Sequence, residues 1–241
     1  MSLLLIIADD FTGALDTGVQ FAARGIPTKV VVDTEVDFAA QDTEVLVVDT
    51  ETRHLPADNA YAIVYALAKR AMQAGIRYLY KKTDSALRGN IGAELAALLA
   101  ASGCRQLPFL PAFPQMKRVT KNGVHYIDGT PVTDSPFGRD PFEPVTHAEI
   151  AALIAAQTDC PAHSFAPLTD ADPVPDTEGI LIFDAEHTEE LTETGKQLIK
   201  NDLLHIMAGC AGFGASLPEL LNIASHAKKD FPEMDQRLLV V

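Results

Sequence analysis

Tyr78-Leu79-Tyr80-Lys81-Lys82-Thr83-Asp84-Ser85-Ala86-Leu87-Arg88-Gly89-Asn90 joins an aromatic and apolar run to a polar loop, and a helix-like segment over residues 91–101 follows. Strand, polar loop, helix is the unit from which α/β proteins build ligand sites at the carboxyl ends of their strands. The same order opens the chain. Residues 3–8 form a continuous apolar run typical of a buried parallel strand, and Asp9-Asp10-Phe11-Thr12-Gly13 comes next. Thr12 is expected to cap a helix whose apolar Leu15, Val19, Ala22 and Ala23 share one face, with Gly25 closing it.

Outward from these two units, residues 28–32 and 45–48 read as strands, 58–74 as a helix stopped by Gly75, and 78–81 as a fourth strand. Strands alternating with helices predict an α/β fold, a doubly wound and mainly parallel sheet with right-handed crossovers. The rhythm breaks at residues 107–113, an apolar run interrupted by Pro108 and Pro111 that suits an edge strand or one entering a loop. Across the irregular excursion 114–144 no helix is expected. Residues 119–123, 125–127 and 131–133 suggest an inserted small β hairpin region turning at Asn122-Gly123 and Asp128-Gly129. Alternation resumes with a helix over 147–157, strands over 163–167 and 179–184, a helix over 188–200, a strand over 203–208 and a helix from Ser216 to about Ala227. Residues 237–241 read as one more parallel strand.

Composition narrows the function classes. With 47% hydrophobic and 22% charged residues the chain is an ordinary globular protein, and 241 residues can bury a substantial core. No apolar run approaches the ~20 residues of a membrane span, and residues 3–7 lack the basic flank of a signal peptide. Cys104, Cys160 and Cys210 are odd in number and widely spaced, which argues against a disulfide framework or a zinc site and for a reducing, cytoplasmic setting. The net charge of −14 disfavours nucleic acid as a partner. Between Arg77 and Lys121, however, eight basic residues face two acids, a local +6 that leaves −20 on the remainder.

The candidate chemistry lies directly after predicted strands. Asp9 and Asp10 can hold sugar hydroxyls or a metal, or take a proton; alternation of side chains along a strand suggests that only one of them faces the crevice. Arg53, after Asp49 and Thr50, can clamp a carboxylate with two parallel hydrogen bonds. Lys82, Ser85 and Arg88 can surround an anion, with the free N–H groups of the following helix adding positive potential and Asp84 orienting a lysine or a hydroxyl. Lys117, Arg118 and Lys121 can reach over the same crevice from the excursion. A parallel sheet brings all four clusters to one edge, and their mixture of cations, hydroxyls and carboxylates suits a small, anionic, hydroxylated ligand. Two phosphate motifs fail: Phe11 stands where an aspartyl-phosphate phosphatase needs its second acid, and Val19 where a P-loop needs its lysine. Gly209-Cys210-Ala211-Gly212-Phe213-Gly214 reads as a turn more than a phosphate cradle, and Cys210 as a buried thiol.

Ile7 to Ala14 (IADDFTGA), Thr52-Arg53, Lys81 to Leu95 (KKTDSALRGNIGAEL), Pro111 to Pro114, the hairpin up to Thr133 and Asp140 to Val145 (DPFEPV) together resemble the four-carbon acid sugar kinase family, which includes 3-oxo-tetronate, D-threonate and D-erythronate kinases. The resemblance implies a kinase using ATP and Mg2+ to phosphorylate the terminal hydroxyl of a tetronate-like acid. It also implies an amino-terminal substrate-binding domain and a carboxyl-terminal nucleotide-binding one. On this basis residues 1–236 are expected to be the sugar-acid domain, and 237–241 the first strand of a nucleotide domain that the chain lacks, so that ATP and Mg2+ are not bound by this chain alone. Gln115-Met116-Lys117-Arg118 departs from the family pattern, which places a glycine before the arginine. The expected roles are Asp9 or Asp10 as base or hydroxyl ligand, Arg53, Lys82 and Arg88 on the substrate carboxylate, Thr12 and Ser85 on its hydroxyls, and Gly13, Asp84 and Arg118 lining the site, with no protein-held metal. A non-catalytic sugar-acid-binding protein and a small phosphatase or hydrolase using Asp9 are the alternatives. The expected partner is a small anionic sugar acid, with no membrane, and a homo-oligomer is left open.

Overall fold

The computed structural model describes residues 2–225. Apolar runs and helical segments alternate as β1 (Leu4–Ala8), α1 (Phe11–Ala22), β2 (Thr28–Val31), β3 (Val45–Asp49), α2 (Ala57–Gln73), β4 (Tyr78–Lys82), α3 (Ile91–Ser102) and β5 (Gln106–Leu110). An antiparallel excursion follows, β6 (Arg118–Lys121), β7 (Val124–Ile127) and β8 (Thr130–Pro131), with short 3-10 turns around it. The chain then returns through α4 (Ile150–Ala155), β9 (Ala162–Phe165), β10 (Gly179–Phe183), α5 (Thr188–Lys200), β11 (Ile206–Gly209), α6 (Ala211–Gly214) and α7 (Leu217–Leu220).

Eight strands form one sheet in the order β2-β3-β1-β4-β11-β5-β10-β9, and every recorded pairing in it is parallel. Its interior strands β1, β3, β4 and β10 are buried on both faces, as parallel strands covered by crossover helices must be. Side-chain alternation divides the core in two. Leu5 and Ile7 of β1 pack with α2, α3 and α4, whereas Leu4, Ile6 and Ala8 pack with α1, α5, α6 and α7. The sheet is therefore doubly wound, as expected. From β1 the chain moves to β2 and β3 on one side and to β4 on the other, a reversal that opens a crevice at the carboxyl ends of β1 and β4. Among the described residues no helix is long and apolar enough to cross a membrane.

Several local expectations are corrected. Asp10, not Thr12, caps α1, accepting from Gly13 N at 2.9 Å, because its backbone is still extended (φ −148°) where the helix begins. The buried face of α1 is Gly13, Ala14, Thr17, Gly18 and Phe21, while Phe11, Leu15 and Val19 are 46%, 46% and 52% exposed. Small residues win the inner face because α1 lies close to the sheet: a side chain at Gly18 would meet Val30 at 3.3 Å and Val47 at 3.6 Å. β5 is interior rather than an edge; pairing with β11 is recorded only at Phe109 and Leu110, past Pro108, so the missing N–H interrupts little there. The helix expected over 147–157 shrinks to α4, and the one expected from Ser216 to about Ala227 shrinks to α7, with residues 221–225 not helical; the remainder of it and the strand expected over 237–241 lie outside the described residues.

The excursion folds as expected around its two turns. Asn122 and Gly123 (φ 51° and 74°) and Asp128 and Gly129 (φ 50° and 79°) adopt the left-handed pairs that tight hairpins require. The third strand makes it a three-stranded sheet, with β7 between β6 and β8. Thr120 bridges to Ala185 after β10, which ties the small sheet to the large one.

Candidate functional site

β1 ends at Ala8, so Asp9 and Asp10 follow a strand and begin a helix rather than alternate along a strand. Both therefore reach the same partner, Arg53, although only one of them keeps an open side. Arg53 Nε donates to Asp9 Oδ2 at 2.7 Å and Nη1 to Asp10 Oδ2 at 2.8 Å, while Nη2 lies 2.8 Å from Asp10 Oδ1. Arg53 does clamp carboxylates with parallel hydrogen bonds, but the carboxylates are the protein's own. Burial disfavours its charge, yet Asp9, Asp84 and Asp10 outweigh that and hold the guanidinium pKa above its ordinary value. Asp9 is 2% exposed, whereas the Asp10 side chain is 21% exposed and faces the crevice.

The Lys81 to Asn90 loop is fastened to the Arg53 turn. Asn90 Nδ2 donates to the carbonyls of Thr52 (2.9 Å) and Leu55 (2.8 Å), and Gly89, with φ 83°, passes so close that a side chain there would meet Arg53 Cγ at 2.9 Å. The amino end of α3 is not free to bind an anion at Gly92, whose N–H donates to Gln157 Oε1 at 2.6 Å. Within the loop Asp84 takes three bonds from Arg88, from its backbone N at 3.2 Å, Nε at 2.8 Å and Nη2 at 3.2 Å. Burial alone would push the Asp84 carboxyl up; the Arg88 hydrogen bonds and the charges of Arg53, Arg88 and Lys82 prevail and bring it to about 2. Arg88 also lies 3.4 Å from Asp140 and 5.2 Å from the centre of the Phe137 ring.

The two adjacent lysines part company. Lys81 is fully buried, 3.0 Å from Glu94 of α3, while Lys82 turns toward α1. A side chain at Gly13 would sit 2.3 Å from Lys82 Nζ and 2.5 Å from Asp10 Oδ1, so a cation and an acid converge on the open space above this glycine. Lys82 is 5% exposed, and its ammonium makes no hydrogen bond or ion pair among the described residues, although its charge acts on Asp84. Of the three basic residues expected from the excursion only Arg118 arrives: it donates to the Ser85 hydroxyl in a short hydrogen bond and lies 5.1 Å from the centre of the Phe137 ring. Lys117 and Lys121 pair outside with Asp128 and Glu186. Thr12 is exposed in the first turn of α1.

Four contributors were not singled out from the sequence. Phe137 lies against both Arg88 and Arg118. His125, fully buried on β7, contacts the Ser85 carbonyl at 2.9 Å and the Thr120 hydroxyl at 3.1 Å. Burial, aided by the Arg118 charge, lowers its pKa to about 4, so the ring is neutral and Nε2–H donates to the carbonyl. Asp49, at the end of β3, is pushed up to about 6 by burial and by neighbouring Glu51 and Asp10, and its Oδ2 has no hydrogen-bond partner. Glu94 anchors the base of the loop through Thr52. The alternation pattern flags buried polar positions on β3 and β7, but not these contacts. Cys210 is a buried thiol, as expected; it donates to the Pro111 carbonyl at 3.2 Å, and burial raises its pKa to about 11. A surface hollow of about 710 Å³ between the loop after β9 and α5 shares no residue with this crevice.

The arrangement is thus two saturated arginines, two less committed cations and one partly exposed acid around a glycine floor. The family described as "Sugar-binding N-terminal domain" matches residues 4–217 of this sequence. The chain belongs to this family, the amino-terminal domain of the four-carbon acid sugar kinases. The sugar-binding domain is 34% identical to a D-threonate kinase of Salmonella typhimurium over 227 residues, covering 89% of this chain and 53% of that enzyme. It is 36% identical to a D-erythronate kinase of Heliobacterium modesticaldum over 162 residues, covering 66% of this chain and 37% of that enzyme. A crystal structure from Bordetella bronchiseptica, described as a domain-swapped dimer with bound citrate, superimposes with a TM-score of 0.79 at 32% identity, over 91% of this chain and 56% of that one. The chain thus spans about half or less of the length of these relatives.

Proposed function

We propose that this chain is the acceptor-binding half of an ATP-dependent kinase for a four-carbon sugar acid, and that the crevice holds that acid. The observation that carries this reading is the charge inventory. Arg53 is spent on Asp9 and Asp10, and Arg88 on Asp84 and Asp140, which leaves Lys82 without a partner and Arg118 with only a hydroxyl and a ring. An ammonium at the crevice with no carboxylate bound to it is open to an incoming anion, which satisfies its charge. Lys82 and Arg118 therefore receive the substrate carboxylate or the charge that develops on phosphoryl transfer. Ser85 and Asp10 contact hydroxyls, and Asp10 is better placed than Asp9 to accept a proton because it is the more exposed of the two. Arg53 and Arg88 act indirectly, by fixing the acids and the loop.

This division suits phosphoryl transfer, in which the protein mainly positions the acceptor and stabilises charge. ATP and Mg2+ are implied by the kinase names of the relatives. Among the described residues no group of three acids, histidines or cysteines converges on a metal position, and the two acids at the end of β1 are both engaged by Arg53. The described residues do not fit a magnesium site, so no step is routed through the metal here, and the donor is assigned to residues outside this domain. Residues 1–236 are accordingly read as the sugar-acid domain. The phosphatase reading is disfavoured further by Asp9, which is buried and held by Arg53.

Calorimetry with D-threonate, D-erythronate and ATP tests the proposal. Heat on titration with one of the acids and none with ATP supports it. ATP hydrolysis or phosphoryl transfer by this chain alone refutes the half-enzyme reading, and silence with every four-carbon acid refutes the assignment of the crevice.

A further inference from the structure

Helix α3 carries a fully buried carboxyl group, Glu94, beside β4 and the turn that holds Arg53. Three oxygen contacts run outward from it. Glu94 Oε1 meets the Thr52 hydroxyl in a short hydrogen bond, Thr52 Oγ1 lies 2.8 Å from Thr50 Oγ1, and Thr50 Oγ1 lies 2.7 Å from the Ala8 carbonyl oxygen. Each contact needs a proton, since at hydrogen-bonding distance two oxygen lone pairs with no proton between them repel. The two hydroxyls carry one proton each, and the carbonyl carries none. The third proton has one remaining source, the Glu94 carboxyl.

We infer that Glu94 is a neutral carboxylic acid that donates to Thr52, which donates to Thr50, which donates to Ala8, and that it is a positioning residue for the Asp9, Asp10 and Arg53 anchor. The donor chain runs in one direction, so each bond polarises the next. It ends on the last residue of β1, immediately before the two aspartates, and it passes through Thr52, immediately before Arg53. One proton held in the core thereby fixes both sides of the anchor. Burial raises the Glu94 pKa, the Lys81 ammonium opposes this, and Asp9 adds to it. Lys81 is within 3.0 Å of Oε2 but directs a hydrogen bond to the Lys82 carbonyl at 2.8 Å, and Oε2 accepts no hydrogen bond.

The test needs no ligand and stands apart from the proposed function. In carboxyl-carbon NMR of glutamate-labelled protein near neutral pH, the resonance missing from Glu94→Gln should sit at the protonated position; finding it at the ionised position overturns the inference. Glu94→Gln can donate to Thr52 with its amide and accept from Lys81 with its oxygen. It should match or exceed the wild-type melting temperature near neutral pH and keep the slowly exchanging Arg53 Nε–H signal. A loss of stability in Glu94→Gln near neutral pH as large as that of Glu94→Leu would instead mark Glu94 as the ionised partner of Lys81. As pH rises above the ordinary glutamate range, the unfolded chain releases a proton that the folded chain keeps, so wild type should lose stability relative to Glu94→Gln. A difference that stays flat as the medium is made alkaline contradicts this. Thr52→Val breaks the donor chain and leaves the Lys81 and Glu94 contact alone; it should lose the exchange protection of Arg53 Nε–H, and unchanged protection overturns the positioning role.

Discussion

Asp84→Asn probes the electrostatic frame of the crevice. In the folded chain the Asp84 carboxyl is held at about 2, against an ordinary value of 3.8, by hydrogen bonds from Arg88 and the charges of Arg53, Arg88 and Lys82 acting against burial. A fall of roughly 1.8 in pKa, at about 1.36 kcal/mol for each, gives about 2 kcal/mol of stability. Because the folded value is depressed, that stability is present above the unfolded value and lost as pH falls through the folded one. The window is thus from about pH 4 down to about pH 2. In a domain of this size about 2 kcal/mol corresponds to a fall of roughly 4–8 °C in melting temperature. Asp84→Asn should melt lower than wild type by about that amount at neutral pH, and the difference should close by about pH 2. Circular dichroism melts across this range provide the assay. Equal melting temperatures at neutral pH, or a gap that persists unchanged at the acid end, refute the reasoning.

Three further outcomes are expected. His125 is neutral in the folded chain and held at about 4, against 6.5, chiefly by burial, so its stabilising contribution is present above pH 6.5 and lost as pH falls toward 4; its ring NMR shifts should not move between neutral pH and pH 5, and movement across that range contradicts the buried neutral ring. Gly13→Ala should leave the fold intact but weaken acid binding tenfold or more, since the new methyl would meet Lys82 Nζ at 2.3 Å and Asp10 Oδ1 at 2.5 Å; unchanged calorimetric affinity removes the glycine floor from the site. Tyr80→Phe deletes the buried 2.6 Å bond to the Cys210 carbonyl and should cost about 1 kcal/mol in denaturant unfolding, with acid affinity unchanged.

The parallel sheet, its two layers of helices and the two turns of the excursion were legible because each rests on local signals: continuous apolar runs, helix periodicity, and Asn-Gly or Asp-Gly pairs. The interior position of β5 was not, because its prolines argue for an edge and only the late insertion of β11 beside it decides otherwise. Leu15 and Val19 misled for a related reason: hydrophobicity favoured them for the buried face, but the closeness of α1 to the sheet gave that face to glycine, alanine and threonine. The sequence set the two acids, Arg53 and the Lys81 to Asn90 loop at one sheet edge, and the structure brings them together there. The sequence could not say that Arg53 was already spent, since the acids that hold it, Asp9 and Asp10, come from a distant segment. The separation of Lys81 from Lys82 was available in principle, because neighbours on a strand face opposite layers.

The central claim is that Lys82 is the cation reserved for the ligand. Titration calorimetry of wild type and Lys82→Met with D-threonate and D-erythronate tests it most directly. Loss of a charged hydrogen bond worth about 1.5–3 kcal/mol should weaken acid binding at least tenfold, with circular dichroism showing the fold retained. Acid binding by Lys82→Met with wild-type affinity would contradict the account.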